Sequence, residues 1–289
     1  MPELPEVETV RRGLSELILG KILTSAIYDT PKSFPNAQND VKQFLVSATV
    51  TAIRRRAKVL MIDLSSGYSL VVHLKMTGQL VFVDQQTRFG AGHPNDSLVN
   101  ALPDRSTRMT LEFNDGSQLF FNDQRKFGWV RLMPTKEIPQ LAFMQKVGPE
   151  PLEPDFTVAQ FVERFKRRGR TNIKAAMLDQ SVVAGVGNIY ADESLWGAKL
   201  HPMRLVGTIS SAEFKKLYTE LRSVMNLSIE KGGSSNRNYV NAEGKRGSYM
   251  DVERVFRREG LPCPRCGTTI EKLRVAGRGT HICPYCQSL

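Results

Sequence analysis

Apolar residues recur every three or four positions over Leu4–Ile18, which predicts an amphipathic helix at the start of the chain. Pro5 suits the first helical turn, because the N–H group that proline lacks would have no partner there. Glu6 and Glu8 lie where the helix dipole favours negative charge. Gly20 then provides a suitable stop signal.

The pattern changes between residues 21 and 133 to short runs rich in β-branched and aromatic residues. Turn-forming residues separate these runs, and "NDG" at 114–116 predicts a hairpin turn between two of them. Several short strands at this spacing predict a β-sandwich or a barrel. Residues 84–107 show no clear periodicity, so we expect a long surface loop there, most simply a tolerated insertion.

The second half of the chain is mostly helical in pattern. Five prolines between residues 134 and 154 predict a linker with one short helix. Helical spacing returns over 155–231, and a polar, glycine-rich stretch follows at 232–250, typical of a connector or of a loop over a ligand. The predicted fold class is α+β, with these parts: a β-sandwich or barrel domain at 1–133, a linker at 134–154, a helical domain at 155–252 and a short domain at 253–289 that contains every cysteine of the chain.

The chain carries a large excess of positive charge. Its 289 residues include 40 Lys and Arg against 29 Asp and Glu, which gives a net charge of +11. Such an excess indicates a polyanionic partner, either nucleic acid or an anionic membrane. No apolar stretch approaches the length that spans a bilayer, and no signal peptide is recognisable, so we expect a cytoplasmic location and no membrane partner.

All four cysteines lie within the last 27 residues, in the arrangement C-x2-C, sixteen residues, C-x2-C. This spacing is typical of a zinc site, and four thiolates would close the coordination sphere around a structural ion. The alternatives are two disulfides or an iron–sulfur site. We therefore expect one structural Zn²⁺ and no other cofactor, with these ligands: Cys263, Cys266, Cys283 and Cys286.

Pro2 and Glu3 precede the first helix, and its pattern does not explain them. A small residue at position 2 normally allows Met1 to be removed, which would leave the secondary amine of Pro2 at the N-terminus. An α-amino group has a pKa of about 8, so part of it is an unprotonated nucleophile near neutral pH. Such an amine can form an imine, and Glu3 could supply a proton. The alternative is an ordinary helix start.

Six stretches of the sequence resemble the signatures of the bacterial formamidopyrimidine-DNA glycosylase (Fpg/MutM) family, in the order in which the family has them. They are "PELPEVET", "RRAK", "HLKMTG", "DQRKFG", "GVGNIYADESL" and "GRGTHICPYCQ". The resemblance covers essentially the whole chain. It implies an N-terminal β-sandwich flanked by helices, a helix–two-turn–helix domain and a C-terminal zinc ribbon with four cysteine ligands.

The resemblance also implies the reaction. The family excises oxidised purines, namely 8-oxoguanine and formamidopyrimidines, from damaged double-stranded DNA through a Schiff base on the N-terminal proline. Elimination of the 3′ and then the 5′ phosphate follows. The implied catalytic residues are Pro2, Glu3, Lys58 and Arg278, with Glu6 as an orienting residue or a residue that serves only the helix dipole. A monomer is expected.

Contacts to DNA are implied in the same way. Met76, Arg125 and Phe127 match the residues that intercalate into the duplex, although core packing is the alternative for Met76 and Phe127. The implied phosphate contacts are Lys58, His73, Arg170, Lys174, Asn188 and Arg278.

The sequence departs from the family pattern before "MTLEF". Family members often carry a histidine there, whereas this chain reads "DRSTRM", so Ser106 or Arg108 is expected to replace that contact. The glycine-rich stretch 232–250 resembles the family's lesion-covering loop. Two alternatives for the function remain: an endonuclease VIII-like glycosylase for oxidised pyrimidines, or a zinc-ribbon protein that binds DNA without catalysis.

Overall fold

The structure is a computed structural model that describes residues 1–28, 30–93, 95–234 and 249–289. Most of the loop expected at 232–250 lies outside the described residues. The chain divides into two compact units. One comprises Met1–Gln145 with Ile229–Met250, and the other comprises Lys146–Ser228 with Asp251–Leu289.

The first unit contains two antiparallel sheets. The strand order is β2-β3-β4-β9 in the four-stranded sheet and β1-β7-β8-β5-β6 in the five-stranded sheet. Three helices belong to this unit: α1 (Leu4–Ile18), α2 (Gln38–Asp40) and α3 (Ala142–Lys146). The strands are β1 (Leu23–Tyr28), β2 (Val50–Arg56), β3 (Val59–Leu64), β4 (Tyr68–His73), β5 (Gly78–Val83), β6 (Arg88–Gly92), β7 (Thr107–Phe113), β8 (Gln118–Asp123) and β9 (Trp129–Pro134). Further helical turns, 3₁₀ or π in type, are Val41–Leu45, Asp96–Leu98, Thr135–Gln140 and Tyr249–Asp251.

A single hydrophobic core lies between the two sheets. Alternate residues such as Ile62 and Leu70 of one sheet and Leu80 and Phe121 of the other are buried in it. This is the packing of a β-sandwich, because each strand turns every second side chain towards the facing sheet. The predicted sandwich is confirmed, and so is the hairpin turn at 114–116, where Gly116 N–H donates to the Phe113 carbonyl.

Helix α1 occupies the predicted span and packs on this core through Val7, Val10 and Leu14, each at most 1% exposed. Its polar side holds Glu8, which is also buried. Three guanidinium groups surround the Glu8 carboxylate: those of Arg11, Arg12 and Arg55, the last on strand β2. Arg11 and Arg12 belong to α1 itself, so the Arg55 pair is the one that fastens α1 to the sheet. A buried carboxylate is stable only when it is hydrogen-bonded.

Residues 84–107 differ from the expected loop, since they contain strand β6, which pairs antiparallel with β5 at the sheet edge. After β6 the chain returns over the outer face of the five-stranded sheet. There Leu98 and Leu102 pack against Val81 and Phe120. The run "RFGAG" contains no β-branched residue, so pairing with an existing edge strand, rather than local propensity, makes it a strand.

The predicted linker also carries structure. Its first part forms the turn Thr135–Gln140 and helix α3, which confirms the expected short helix. Ile138 is buried with Val59, Met61 and Val71 on the outer face of the four-stranded sheet. The chain therefore leaves the first unit only after residue 145.

The second unit is helical with one small hairpin, and its helices lie within the span 155–231 that the sequence predicts to be mostly helical. Its helices are α4 (Val158–Lys166), α5 (Ile173–Leu178), α6 (Asn188–Ala198) and α7 (Ser211–Glu230), with a short turn at Val206–Thr208. Its strands are β10 (Glu271–Val275) and β11 (Arg278–Ile282), which pair antiparallel. Among the described residues, every helix is too short or too polar to cross a lipid bilayer.

The Glu8 cluster predicts a specific pH dependence of stability. Burial raises the pKa of Glu8, but hydrogen bonds from Arg11, Arg12 and Arg55 outweigh it and lower the pKa from 4.5 to about 2. The stabilisation is therefore present above pH 4.5 and is lost as the pH falls towards 2. We expect Glu8→Gln to lower the free energy of unfolding at pH 7 by about 2 kcal/mol, and the difference from wild type to shrink by pH 3.

Urea unfolding followed by circular dichroism between pH 7 and pH 3 measures this difference. Glu163→Gln is the matched control, because Glu163 pairs with Arg167 on an exposed helix face and its side chain is 66% exposed. A constant difference between Glu8→Gln and wild type across this pH range would contradict the prediction.

Candidate functional site

The N-terminal residues Pro2 and Glu3 are buried immediately before α1. Glu3 is the N-cap residue, and its N–H donates to Glu6 Oε2 at 2.8 Å within a capping box. The other oxygen of Glu6 accepts from the backbone N–H and the hydroxyl of Ser234, at 2.9 and 2.8 Å. The helix cap thus fixes the direction in which Pro2 and Glu3 leave the helix.

Lys58 lies in the tight turn between β2 and β3 and is only 7% exposed. The preceding residue, Ala57, has a φ of +53°, an uncommon conformation for a residue with a side chain. Arg55 stabilises this turn, since its Nε donates to Glu8 Oε2 at 3.1 Å and its Nη1 donates to the Ala57 carbonyl at 3.1 Å. Glu8 of α1 therefore fixes the turn that carries Lys58.

His73 ends strand β4 opposite Val59, the residue after Lys58. The N–H of Lys75 donates to His73 Nδ1 at 3.1 Å, which leaves the proton of the neutral ring on Nε2. Burial, together with the positive charges of Lys75 and Lys58, lowers the pKa of His73 from 6.5 to about 3. At neutral pH His73 is thus an uncharged hydrogen-bond donor.

Two neighbouring loops carry the residues expected to intercalate. Met76 is half-buried in the β4–β5 loop, and Arg125 and Phe127 are exposed in the β8–β9 loop. Phe127 is 47% exposed, so it is not a core residue. The Arg125 guanidinium lies 4.9 Å from the centroid of the Phe127 ring, in a cation–π contact that keeps the two side chains together.

Ser106 and Arg108 are both buried. The Ser106 hydroxyl donates to Asp104 Oδ1 at 2.6 Å and lies 2.9 Å from the Ser97 hydroxyl. Arg108 Nε donates to the Asp123 carbonyl at 3.0 Å. These contacts hold the segment before β7 against the sheet, and the expected DNA contact of either residue stays a prediction.

In the second unit, α5, two turns and α6 form the helix–two-turn–helix element. The Asn172 side chain caps α5 by accepting from Ala175 N–H at 2.8 Å. Gln180 connects the two turns: its Nε2 donates to the Val186 carbonyl at 2.8 Å and its Oε1 accepts from Gly185 N–H at 2.9 Å. Asn188 is consequently held as the first residue of α6, where free N–H groups suit an anion.

The hairpin of β10 and β11 presents Arg278 directly after its turn. Ala276 and Gly277 have φ values of +50° and +73°, as a tight two-residue hairpin requires. Arg278 is exposed, and the carbonyl of the next residue, Gly279, accepts from Asn188 Nδ2 at 2.9 Å. The predicted phosphate contacts Asn188 and Arg278 therefore lie together.

Lys174 is fully buried, unlike the exposed Arg170 in the turn before α5. Its ammonium donates to Asp192 Oδ1 at 2.6 Å and to the Thr280 hydroxyl at 2.7 Å. Asp192 Oδ2 accepts from His281 N–H at 3.0 Å. Lys174 and Asp192 thus join α5 and α6 to strand β11, and the phosphate contact expected of Lys174 stays a prediction.

The four cysteines are free thiols gathered at one point of the ribbon, with all their sulfur atoms within 4.8 Å of one another. The Sγ atoms of Cys266 and Cys283 are 3.5 Å apart, too far for a disulfide but close to the separation of about 3.8 Å that four thiolates at 2.3 Å from a tetrahedral zinc ion would have. Trp196 Nε1 of α6 donates to Cys263 Sγ at 3.4 Å. The donor set fits a zinc ion.

Sequence reasoning did not single out the buried acids Glu8, Asp123, Asp192 and Glu193 as organising residues. Glu193 is fully buried and accepts from the N–H groups that precede the ribbon, Val255 and Phe256 among them, each at 2.9 Å. The sequence contained a signal for the pair in α6: acidic residues within the otherwise apolar run "NIYADESLW" must find partners, because a buried charge requires them.

The chain matches three sequence families along its length. Residues 1–130 match the formamidopyrimidine-DNA glycosylase N-terminal domain, and residues 147–239 match the formamidopyrimidine-DNA glycosylase H2TH domain. Residues 260–289 match a zinc finger found in FPG and IleRS.

Similar proteins agree over the full length. A formamidopyrimidine-DNA glycosylase of Pediococcus pentosaceus is 40% identical over 289 residues, all of both chains. The crystal structure of a Lactococcus lactis FPG variant with DNA that contains Fapy-dG has a TM-score of 0.87 and 34% identity, over 100% of both chains. A MutM protein with DNA that contains carbocyclic 8-oxo-G has a TM-score of 0.85 and 34% identity, also over 100% of both chains. The chain belongs to the formamidopyrimidine-DNA glycosylase family of DNA-repair enzymes.

Proposed function

We propose that this protein is a bifunctional DNA glycosylase and AP lyase that removes oxidised purines from double-stranded DNA. The observation that carries the proposal is the buried Pro2–Glu3 pair, held by the capping box at the start of α1. This arrangement places an amine nucleophile, once Met1 is removed, directly beside a carboxyl group. Those are the two groups that imine formation at a sugar carbon needs.

The reaction begins when the unprotonated amine of Pro2 attacks C1′ of the flipped nucleotide. The N–C1′ bond forms as the bond to the base breaks, and the departing base takes up the proton that the amine loses. Glu3 donates a proton to the ribose ring oxygen as the bond between C1′ and that oxygen breaks and the ring opens. The resulting Schiff base withdraws electrons from C2′, so a proton leaves C2′ and the 3′ phosphate is expelled. A second elimination expels the 5′ phosphate and leaves a one-nucleotide gap.

Two further cations serve these steps. Lys58, held by the Glu8–Arg55–Ala57 contacts, is assigned to proton donation and phosphate contact. Arg278 is assigned to phosphate binding and to stabilising charge during the last elimination, because a guanidinium stays protonated.

Damaged DNA must be opened before this chemistry, because a base inside the stack is out of reach. Met76 and Phe127 are suited to enter the stack as apolar wedges, and Arg125 to donate to the edge of the unpaired base. His73, Arg170, Lys174 and Asn188 complete the assigned phosphate contacts. These contacts fix the position of the duplex and do not read its sequence.

The four cysteines are assigned to one structural zinc ion. Four thiolates leave no open coordination position, so the ion would hold the ribbon in shape and take no part in the reaction. Its contribution would be to keep the β10–β11 hairpin, and with it Arg278, in place. The protein would act as a cytoplasmic monomer.

The purine branch is favoured over the two alternatives by specific residues. The N-terminal "PELPEVET" and the set Met76, Arg125 and Phe127 match that branch, and the similar Lactococcus lactis protein was crystallised with a formamidopyrimidine lesion. An endonuclease VIII-like enzyme would prefer oxidised pyrimidines. A protein that only binds would show little preference for damaged duplex.

The proposed nucleophile, the amine of Pro2, can be identified by trapping the imine. Protein that lacks Met1, incubated with an 8-oxoguanine duplex and borohydride, should give a covalent adduct on Pro2, because borohydride reduces the imine to a stable amine. Mass spectrometry of the tryptic peptides locates the adduct. Pro2→Gly should lower the yield at least tenfold, since it replaces the secondary amine and loosens the helix start.

An abasic-site duplex is the control substrate, because either glycosylase branch should be trapped there. Trapping on abasic DNA and on oxidised pyrimidines, but not on 8-oxoguanine, would favour the endonuclease VIII-like alternative. The absence of any adduct on all three substrates would refute the proposed reaction.

The proposed zinc ion can be measured directly and removed. The purified protein should contain one zinc ion per chain by elemental analysis, and its removal with a chelator should weaken duplex binding at least tenfold because the Arg278 hairpin loses its support. Urea unfolding of the β-sandwich should be unchanged, since the cysteines lie in the other unit. Iron with visible absorption, or full affinity without metal, would contradict the assignment.

The low pKa of His73 leads to a prediction for the salt dependence of DNA binding. Since the ring is neutral at pH 7, His73→Ala should weaken binding without changing the slope of log Kd against log salt concentration. Arg278→Ala should reduce that slope by about one, because it removes a charge that displaces a counterion. Fluorescence anisotropy at several salt concentrations measures both slopes. An equal loss of slope in both variants would show that His73 is charged.

A further inference from the structure

One buried carboxylate joins the two loops that carry Met76, Arg125 and Phe127. Asp123, the last residue of β8, is 0% exposed. Its Oδ2 accepts from Gly128 N–H at 2.6 Å, and its Oδ1 accepts from Arg125 N–H at 3.2 Å, both in the β8–β9 loop.

The second contact of Oδ1 reaches the other loop. The hydroxyl of Thr77, one residue after Met76 in the β4–β5 loop, donates to Asp123 Oδ1. Thr77 Oγ1 also accepts from Arg125 N–H at 3.2 Å. The Thr77 hydroxyl is therefore bonded at once to the carboxylate and to the backbone of the opposite loop.

The side chains around Gly128 are closely packed against its backbone. A Cβ atom on Gly128 would lie 3.0 Å from Asp123 Oδ2 and 2.9 Å from the Phe121 ring, so only glycine allows this approach. In the other loop, Gly78 N–H donates to the Leu74 carbonyl at 2.8 Å and closes a tight turn around Met76 and Thr77.

A buried carboxylate without these donors would be costly, because burial disfavours its charged form. Breaking the Thr77 contact therefore removes a charge-assisted hydrogen bond, which is stronger than one between neutral groups. The Asp123 carboxylate and the Thr77 hydroxyl together link the two loops, whereas the Phe127 ring is 47% exposed.

We propose that Asp123 is a positioning residue for base extrusion: through Thr77 it fixes the Met76 loop against the Arg125–Phe127 loop, so that the three side chains enter the duplex as one unit. Asp123 itself touches no DNA in this proposal. The inference rests on the proposed function, because it explains how the three side chains that would open the duplex are held in position.

The matched pair Thr77→Val and Thr77→Ser tests the proposal. Valine keeps the shape of threonine without the hydroxyl, whereas serine keeps the hydroxyl. Thr135→Val is the control for the substitution itself, because the Thr135 hydroxyl bonds to the Ser69 hydroxyl in the other sheet, at 2.7 Å. Asp123→Asn is the stronger variant, because an amide NH2 group in place of Oδ2 cannot accept from Gly128 N–H and the charge of the carboxylate is lost.

The direct readout is the fluorescence of 2-aminopurine placed opposite the lesion, which rises when the base is unstacked. Stopped-flow mixing with each variant in a Pro2→Gly background isolates wedge insertion from the chemistry. We expect Thr77→Val to slow unstacking about tenfold and Asp123→Asn more, with Thr77→Ser and Thr135→Val within about twofold of the parent.

The same variants with Pro2 intact separate insertion from catalysis. Thr77→Val should slow single-turnover release of 8-oxoguanine by the same factor as unstacking, while Kd for undamaged duplex, which depends on phosphate contacts, stays unchanged. Borohydride trapping on an abasic site, which has no base to extrude, should stay near the parent level.

Each outcome is decisive. Suppose that the protein with Pro2 intact traps abasic DNA, and that Thr77→Val in the Pro2→Gly background unstacks the duplex as fast as Pro2→Gly alone. The inference is then wrong and the proposed function stands. If Thr77→Ser is as slow as Thr77→Val, the hydroxyl is not the cause and the inference is equally wrong. Failure of the parent to trap abasic DNA would instead overturn the proposed function, whatever Thr77 does.

Discussion

A buried carboxylate must be surrounded by hydrogen-bond donors, and the functional segments of this protein depend on that constraint. Glu8, Asp123, Asp192 and Glu193 are all nearly or fully buried in a chain whose net charge is +11. Each recruits donors from a different segment of the chain. Because the donors are backbone N–H groups, hydroxyls and cations of other segments, satisfying the acid also holds those segments in place.

This constraint explains how short, exposed segments are held for chemistry. Glu8 holds Arg55 and, through it, the turn of Lys58. Asp192 holds Lys174 and β11 beside Arg278. Arg125, Phe127 and Arg278 are exposed, while the acids Asp123 and Asp192 near them are buried. A positively charged protein can therefore present cations to a polyanion from rigid loops, which limits the entropy lost on binding.

The division into a sandwich and a helical unit separates two tasks. The first unit carries Pro2, Glu3 and the proposed wedge side chains, and the second carries the cysteine cluster and most of the proposed phosphate contacts. In the first unit, the absence of a side chain on Gly128 allows its backbone N–H to come within hydrogen-bond distance of the Asp123 carboxylate. Several hydrogen bonds therefore hold each of these loops in place, as the proposed distortion of DNA requires.

The sequence by itself determined the elements with strong local signals. The period of the apolar residues fixed α1 at Leu4–Ile18, the C-x2-C pairs defined the ribbon, and the motifs identified the family. Only the tertiary structure decided that residues 88–92 form an edge strand, because the pairing partner of "RFGAG" lies elsewhere in the chain. It also decided that Lys174 is buried and that Asp123 joins two loops, since hydrogen bonds between distant segments leave no periodic trace in a single sequence.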